Sequence, residues 1–346
     1  MSTGVIICDD SAMARKQMAR ALPEDWDTTL TFVDNGDACL EAIREGKGSV
    51  VFLDLNMPGT DGYAVLERVH REELPALVLV VSGDVQPEAH ERVMRLGALN
   101  FIRKPLDPDV LTQTLADYGL YSPSATAEEA APATTTAAPP STSEVPWQDA
   151  LQEIANVAMG QAGDLLARLL DVFIKLPVPR VNMLAASELR MALNITESGS
   201  SWSGVCQGFI GSGIAGEALL LFNDARLDTM SRLLGHPEEA DANRELEALM
   251  DMSSIMVGAF LRGFGEQMDR KFGLSHPVVL GTHVDISELL EPGQSSWQHI
   301  LTIELNYAIE SHDINCDLLL LFSEESVTPL REALSWLSDQ GAEVTA

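Results

Sequence analysis

Asp9, Asp10, Asp54, Ser82 and Lys104 each stand just after a short apolar run, where an alternating strand–helix chain does its chemistry. The runs are Gly4–Cys8 (GVIIC), Val50–Leu53 (VVFL), Leu77–Val81 (LVLVV) and Asn100–Ile102, the last leading into Arg103-Lys104-Pro105. Runs so short and apolar predict strands buried on both faces. In an open parallel sheet, ligands sit at the carboxyl ends of the strands, so these side chains are expected at one edge. Three carboxylates gathered there repel one another unless a cation neutralises them. An all-oxygen set with spare coordination positions suits Mg²⁺. Lys104 and the Ser82 hydroxyl add what a phosphoryl group needs beside the metal: a point charge and a short donor.

The elements that position them follow in order. Asp10–Ala21 reads as a helix with Met13, Met18 and Leu22 toward the core. Leu30–Val33 reads as an edge strand, followed by a turn at Asn35-Gly36 and a helix through Ile43. After Asp54, Pro58, Gly59 and Gly62 turn the chain into a helix over Tyr63–Arg71. Helices over Glu88–Leu96, closed by Gly97, and Asp109–Tyr118 complete an alternating pattern, so a parallel sheet is expected.

With these residues in this order, residues 1–121 resemble a two-component response-regulator receiver domain. That resemblance implies a doubly wound, flavodoxin-like α/β fold with five parallel strands. It implies Asp54 as phosphoacceptor and Mg²⁺ held by Asp9, Asp10, Asp54 and the backbone carbonyl of Asn56. It further implies Ser82 as the switch hydroxyl, Phe101 as the switch aromatic and Lys104 as the phosphate-pairing lysine. Ser82 stands where Thr is commoner and Phe101 where Tyr is common. A sensor histidine kinase is the implied phosphodonor.

The 346 residues exceed what one core usually organises, and the hydrophobic share of 46% is that of a globular protein. No apolar run approaches the roughly 20 residues that span a bilayer, and MST leads straight into a strand without a basic leader. The four cysteines are scattered, with no zinc spacing and no disulfide framework. A cytoplasmic location is expected, without membrane attachment. With 22 Lys and Arg against 52 Asp and Glu, the net charge is −30. Such a chain repels a phosphate backbone, so nucleic acid is not an expected partner.

Residues 122–145 (SPSATAEEAAPATTTAAPPSTSEV) hold no large apolar side chain before Val145 and read as a flexible linker. Beyond it, residues 146–346 contain an internal repeat. GEALLLFNDARLDTMSRLLG, Gly216–Gly235, parallels CDLLLLFSEESVTPLREALS, Cys316–Ser335, at an offset of 100. Ser201-Trp202 pairs with Ser296-Trp297, and a long helix over Pro146–Val172 pairs with one from Arg244 to about Arg270. Two copies, about 146–235 and 244–335, imply an α+β domain with pseudo-two-fold symmetry and a shared antiparallel sheet.

On the first long helix, Leu151, Ile154, Ala158, Ala162, Leu165, Leu169 and Val172 recur at steps of three and four and are expected to form the buried stripe. Glu153, Asn156, Gly160, Gly163 and Ala167 are then expected on the exposed face. On such a face, Asn156→Ala would change stability by less than about 0.5 kcal/mol. An exposed Gly-rich face costs about 1 kcal/mol per Gly relative to Ala, a cost explained by close approach of another surface.

The stretch EIANVAMGQAG, Glu153–Gly163, with the repeat around it, resembles the chemotaxis CheC/CheX/FliY phosphatase family. The resemblance implies that Glu153 engages the lysine of a phosphorylated receiver and that Asn156 orients the attacking water. In the second copy, LMDMSSIMVGAFL places Asp251 and Ser254 at the matching positions. Both are shorter, so a degenerate second site is expected. Hydrolysis of an aspartyl phosphate is the expected activity, on a CheY-like receiver or on the chain's own. The rival reading is a non-catalytic adaptor or phosphate sink. CheD-like or other chemotaxis proteins are further partners the resemblance implies.

Overall fold

The computed structural model describes residues 2–121, 146–185, 202–223, 226–235, 242–284 and 299–339. The expected linker at 122–145, and Ser201, Ser296 and Trp297 of the repeat, lie outside the described residues. The chain divides into two compact units, residues 1–83 with 87–153, and residues 84–86 with 154–346.

In the first unit, β1 (Thr3–Cys8), β2 (Thr28–Val33), β3 (Val50–Leu53), β4 (Leu77–Ser82) and β5 (Asn100–Arg103) form one sheet in the order β2-β1-β3-β4-β5. Every pairing is parallel, and β2 is an edge, as the sequence predicts. Between the strands run α1 (Ala12–Ala21), α2 (Gly36–Arg44), α3 (Gly62–Arg71), α4 (Pro87–Arg95) and α5 (Pro108–Asp117). Alternation along the strands divides the core in two. Ile6, Val51, Leu53, Val78 and Val80 pack with Leu40 of α2, Val65 and Leu66 of α3 and Val93 of α4. Val5, Ile7, Phe52, Leu79 and Val81 pack with Met18 of α1 and Leu111 and Leu115 of α5. A sheet covered on both faces explains apolar runs such as VVFL of β3 and LVLVV of β4.

Short polar side chains set where the helices begin. Ser11 caps α1 by accepting from the Ala14 amide, and Asp61 caps α3 through Ala64. Asp107 caps α5, with Pro108 in its first turn. Asn35 is likewise the cap of α2, accepting from the Ala38 amide, so Asn35-Gly36 opens a helix and is not a free turn.

The second unit is built on an antiparallel sheet. Its strands are β6 (Arg180–Ala185), β7 (Trp202–Gly211), β8 (Ile214–Asn223), β9 (Gly273–Leu274), β10 (Val278–Val284), β11 (His299–Ile309) and β12 (Ile314–Phe322). The order is β10-β7-β8-β12-β11-β6, with β9 paired to β7. The remaining helices are α6 (Trp147–Leu170), whose residues through Glu153 belong to the first unit, α7 (Leu227–Leu233), α8 (Ala242–Gln267) and α9 (Glu324–Asp339). Aromatic rings fill this core. Phe260 stacks on Phe264 one turn along α8, and Phe322 of β12 meets Phe209 of β7 edge-on at 5.3 Å. Gln86, wholly buried, pairs its amide with the Ile174 backbone, donating to the carbonyl at 2.7 Å and accepting from the amide at 2.9 Å.

The middle of α6 departs from the expected stripe. Every residue from Glu153 to Gly160 is buried, whereas Leu165 and Leu169 are 48% and 53% exposed. The face carrying Glu153 and Asn156 is therefore not a solvent face. A one-sided stripe presumes a helix lying on a surface, and this helix is enclosed along its middle turns. Its small residues permit that: a Cβ on Gly163 would lie 2.7 Å from Leu176 Cδ1. Further along, Leu166, Ala167 and Leu170 turn inward and leave Leu165 and Leu169 outside.

Gly62 holds the loop after β3 tightly closed. A Cβ there would lie 2.7 Å from the Leu55 Cα and closer still to the Asp54 carbonyl oxygen. Because those neighbours are backbone, they cannot yield without moving Asp54. Gly62→Ala is expected to cost about 1–3 kcal/mol in urea unfolding.

Candidate functional site

Lys104 is the centre of the site. It follows β5, is joined to Pro105 by a cis peptide bond, and is 7% exposed. Its Nζ donates to Asp9 Oδ2 at 2.8 Å and lies 2.9 Å from Glu153 Oε1 and 3.1 Å from Asp54 Oδ1. Asp9 and Asp54 come from the ends of β1 and β3, and Glu153 comes from the second turn of α6. Three of the sequence-predicted carboxylates thus meet at one sequence-predicted ammonium.

The acidic loops are held by the backbone. Asp9 Oδ1 accepts from the Ser11 amide at 2.9 Å, and Asp54 Oδ2 from the Asn56 amide at 2.9 Å. Arg15 of α1 donates to the carbonyls of Asp9 and Asp10, at 2.5 and 3.1 Å. Asp54 Oδ1, although close to the ammonium, takes no hydrogen bond in good geometry among the described residues. Ser82 is fully buried at the end of β4. Phe101 is half-buried with its ring edge-on to His90 at 5.7 Å.

One ammonium among so many carboxylates leaves negative charge uncompensated. Burial raises the Asp54 carboxyl well above its ordinary range, with the Lys104 charge opposing and the charges of Asp9, Glu153 and Asp10 adding. Glu153 is raised for the same reasons, burial first. Asp10 is pushed up to about 7 by burial, Asp9 and Glu153. Burial alone would lower Lys104, but Asp54, Asp9 and Glu153 outweigh it and hold the ammonium well above its usual range. Both partners rise because the lysine stays charged while the carboxylates outnumber it.

This chemistry fits a hard divalent cation. The donors are oxygens, Asp54 Oδ1 lacks a hydrogen bond, and the excess charge is negative. Among the described residues no three His, Cys, Asp or Glu side chains close on a single point, because the carboxylates spread around the ammonium.

One turn beyond Glu153 on α6, Asn156 is 3% exposed. Its truncation to Ala is therefore expected to cost about 1–3 kcal/mol, not the small change of an exposed site. Asp251 and Ser254 are both exposed on α8, where Ser254 Oγ donates to the Met250 carbonyl at 2.9 Å. A hydroxyl bonded back to its own helix is a common habit of Ser and no sign of a working site.

Sequence reasoning missed Asp149, Gln152 and Arg15. Asp149 Oδ2 accepts from the Met13 amide at 3.0 Å, and Gln152 Nε2 lies 3.5 Å from Asp10 Oδ2. The spacing of Asp149 four residues before Glu153 was the available signal. Arg15 carried none, since its partners are backbone carbonyls.

Residues 5–116 match the response regulator receiver domain, and the chain carries that domain over this stretch. It is 30% identical over 164 residues, 46% of this chain, to the sensory/regulatory protein RpfC of Xanthomonas campestris, and it spans only 22% of that protein's length. Among solved structures, the receiver domain of a response regulator NarL from Mycobacterium tuberculosis is 30% identical, covering 34% of this chain and 95% of that one at a TM-score of 0.32. FliY of Thermotoga maritima is 19% identical, covering 55% of this chain and 96% of that one at a TM-score of 0.42.

Lys104→Met removes the one ammonium from three buried carboxylates. In urea unfolding at neutral pH with a chelator present, it is expected to lose about 3–5 kcal/mol, the cost of a buried charge left unpaired. A variant as stable as the parent would show that the cluster does not hold this site together.

Proposed function

We propose that the chain is a phosphorelay response regulator that accepts phosphate on Asp54 and hydrolyses that aspartyl phosphate with Glu153 and Asn156. One observation carries the reading: Glu153 Oε1 lies 2.9 Å from the lysine that is paired with Asp54. A carboxylate is a poor neighbour for an aspartate that will bear a phosphoryl group. It is tolerated only through the shared ammonium, and the pairing matches the role the phosphatase resemblance implies for Glu153.

Asp54 acts as the nucleophile toward a phosphohistidine of a sensor kinase or toward a small phosphodonor. A Mg²⁺ held by Asp9, Asp10, Asp54 and the Asn56 carbonyl would supply neutralisation of the phosphoryl charge. Lys104 offers its ammonium to the phosphoryl oxygens, and Ser82 its hydroxyl. In the hydrolytic step that follows, a water attacks phosphorus, the bond to the Asp54 carboxylate breaks, and inorganic phosphate leaves. Asn156, neutral and amide-forked, holds the water without adding negative charge near the phosphoryl group. Alignment of that water is what the reaction lacks once the charge is stabilised. The antiparallel order β10-β7-β8-β12-β11-β6 supports the two-copy reading, since exchanging β6 with β10, β7 with β11 and β8 with β12 reverses the order onto itself. The exposed, shorter Asp251 and Ser254 support a single working site.

A separate CheY-like receiver is the alternative substrate. The Lys104–Glu153 pair favours the chain's own Asp54.

Incubation with a small phosphodonor and Mg²⁺ is expected to label the wild type and not Asp54→Asn. Asn156→Ala is then expected to lengthen the lifetime of the label on the order of a hundredfold, at a rate independent of protein concentration. Equal lifetimes would leave the adaptor reading standing, and lifetimes that shorten as the chain is concentrated would favour a separate receiver.

A further inference from the structure

One side chain holds two successive carbonyls of the β1–α1 loop. Arg15, half-buried in the first turn of α1, donates from Nη1 to the Asp9 carbonyl at 2.5 Å and to the Asp10 carbonyl at 3.1 Å. Its own amide donates to the Ser11 carbonyl at 3.1 Å, so the guanidinium reaches back over the start of its helix. All of these residues lie in the first unit.

The arrangement matters most for Asp10. The Asp9 carbonyl lies in the peptide plane before the Asp10 Cα, and the Asp10 carbonyl lies in the plane after it. With both planes held, the two soft dihedrals of Asp10 are fixed, and with them the direction of its Cβ. Asp9 is fixed independently of Arg15. Its amide donates to the Val33 carbonyl at 3.2 Å, and its carboxylate accepts from the Ser11 amide and from Lys104. Across the site Asp54 is 1% exposed, and its Oδ1 takes no hydrogen bond in good geometry among the described residues. A loop with so little freedom sets the reach of its carboxylates. That suits an ion demanding near-ideal octahedral geometry at about 2.0–2.1 Å, as Mg²⁺ does. Ca²⁺ takes oxygens at about 2.3–2.6 Å in flexible arrangements and gains less from rigidity.

We propose that Arg15 determines cation specificity at this site, favouring Mg²⁺ over Ca²⁺ by holding Asp10 in one orientation. The inference rests on the divalent-cation site of the function proposed above. Arg15 is a positioning residue, touching the ligands and not the metal. A pure charge effect would act differently: a guanidinium beside the site repels both cations alike, so removing it would tighten both.

The test is calorimetric titration of the full-length chain with MgCl₂ and with CaCl₂. It is run at pH 8, where the Asp10 carboxyl, pushed up to about 7, is mostly ionised. Arg15→Met is expected to weaken Mg²⁺ about tenfold, an ordinary loss for a residue that orients a metal ligand. Ca²⁺ is expected to change less than about threefold, so the preference for Mg²⁺ falls. Arg15→Lys keeps the charge on a shorter stem without the planar fork and is expected to show a smaller shift in the same direction. Should Arg15→Met fail to fold, Arg15→Lys carries the test by the same criterion. Equal factors for the two cations, whether both tighten, both weaken or neither changes, overturn the role of Arg15 and leave the cation site intact. Asp10→Asn is the control for the site itself. Wild-type Mg²⁺ affinity in that variant, or no saturable binding by the wild type, overturns the cation site on which the proposal rests.

Discussion

A single buried ammonium carries the site. Lys104 lies within 3.1 Å of carboxylate oxygens from Asp9, Asp54 and Glu153, which reach it from three different elements. Without it these groups would repel one another in a medium too poorly solvated to screen them. With it, their distances are fixed to those of an ion pair. The price is incomplete neutralisation: carboxylates outnumber the lysine, and the pKa of Asp10 climbs to about 7. A site with spare negative charge is one that a cation can complete and a phosphoryl group can enter only with that cation's help.

The rest of the first unit exists to bring those side chains to one place. Parallel strands sealed on both faces by α1 to α5 end at a common edge, and the loops after β1, β3 and β5 deliver Asp9, Asp54 and Lys104 there. Backbone amides of Ser11 and Asn56 hold the acidic groups in orientation, and Arg15 draws in the carbonyls of the first loop. Such preorganisation means that little has to move when phosphate arrives.

Much of this was legible in the sequence. An apolar run such as VVFL reads as a strand buried on both faces, so the residues after the strands had to sit at the sheet edge, and Asp54 and Lys104 do. What escaped was of two kinds. The burial of Glu153 and Asn156 could not be read from α6 alone, because periodicity reports one apolar face and is silent when small residues let a helix be enclosed all round. Contacts to backbone were the other kind. Asp149 on the Met13 amide, Arg15 on two carbonyls and Gln86 on Ile174 have partners that every residue possesses, so no pair of side chains announces them.

The most direct test of the account is the coupling between Lys104 and Glu153. Urea unfolding of the parent, Lys104→Met, Glu153→Gln and the double variant, in chelator at neutral pH, closes a mutant cycle. If the ammonium gathers Glu153 with Asp9 and Asp54, the two substitutions are expected to be non-additive by at least about 1.5 kcal/mol. Additive losses, with no coupling beyond error, would contradict it.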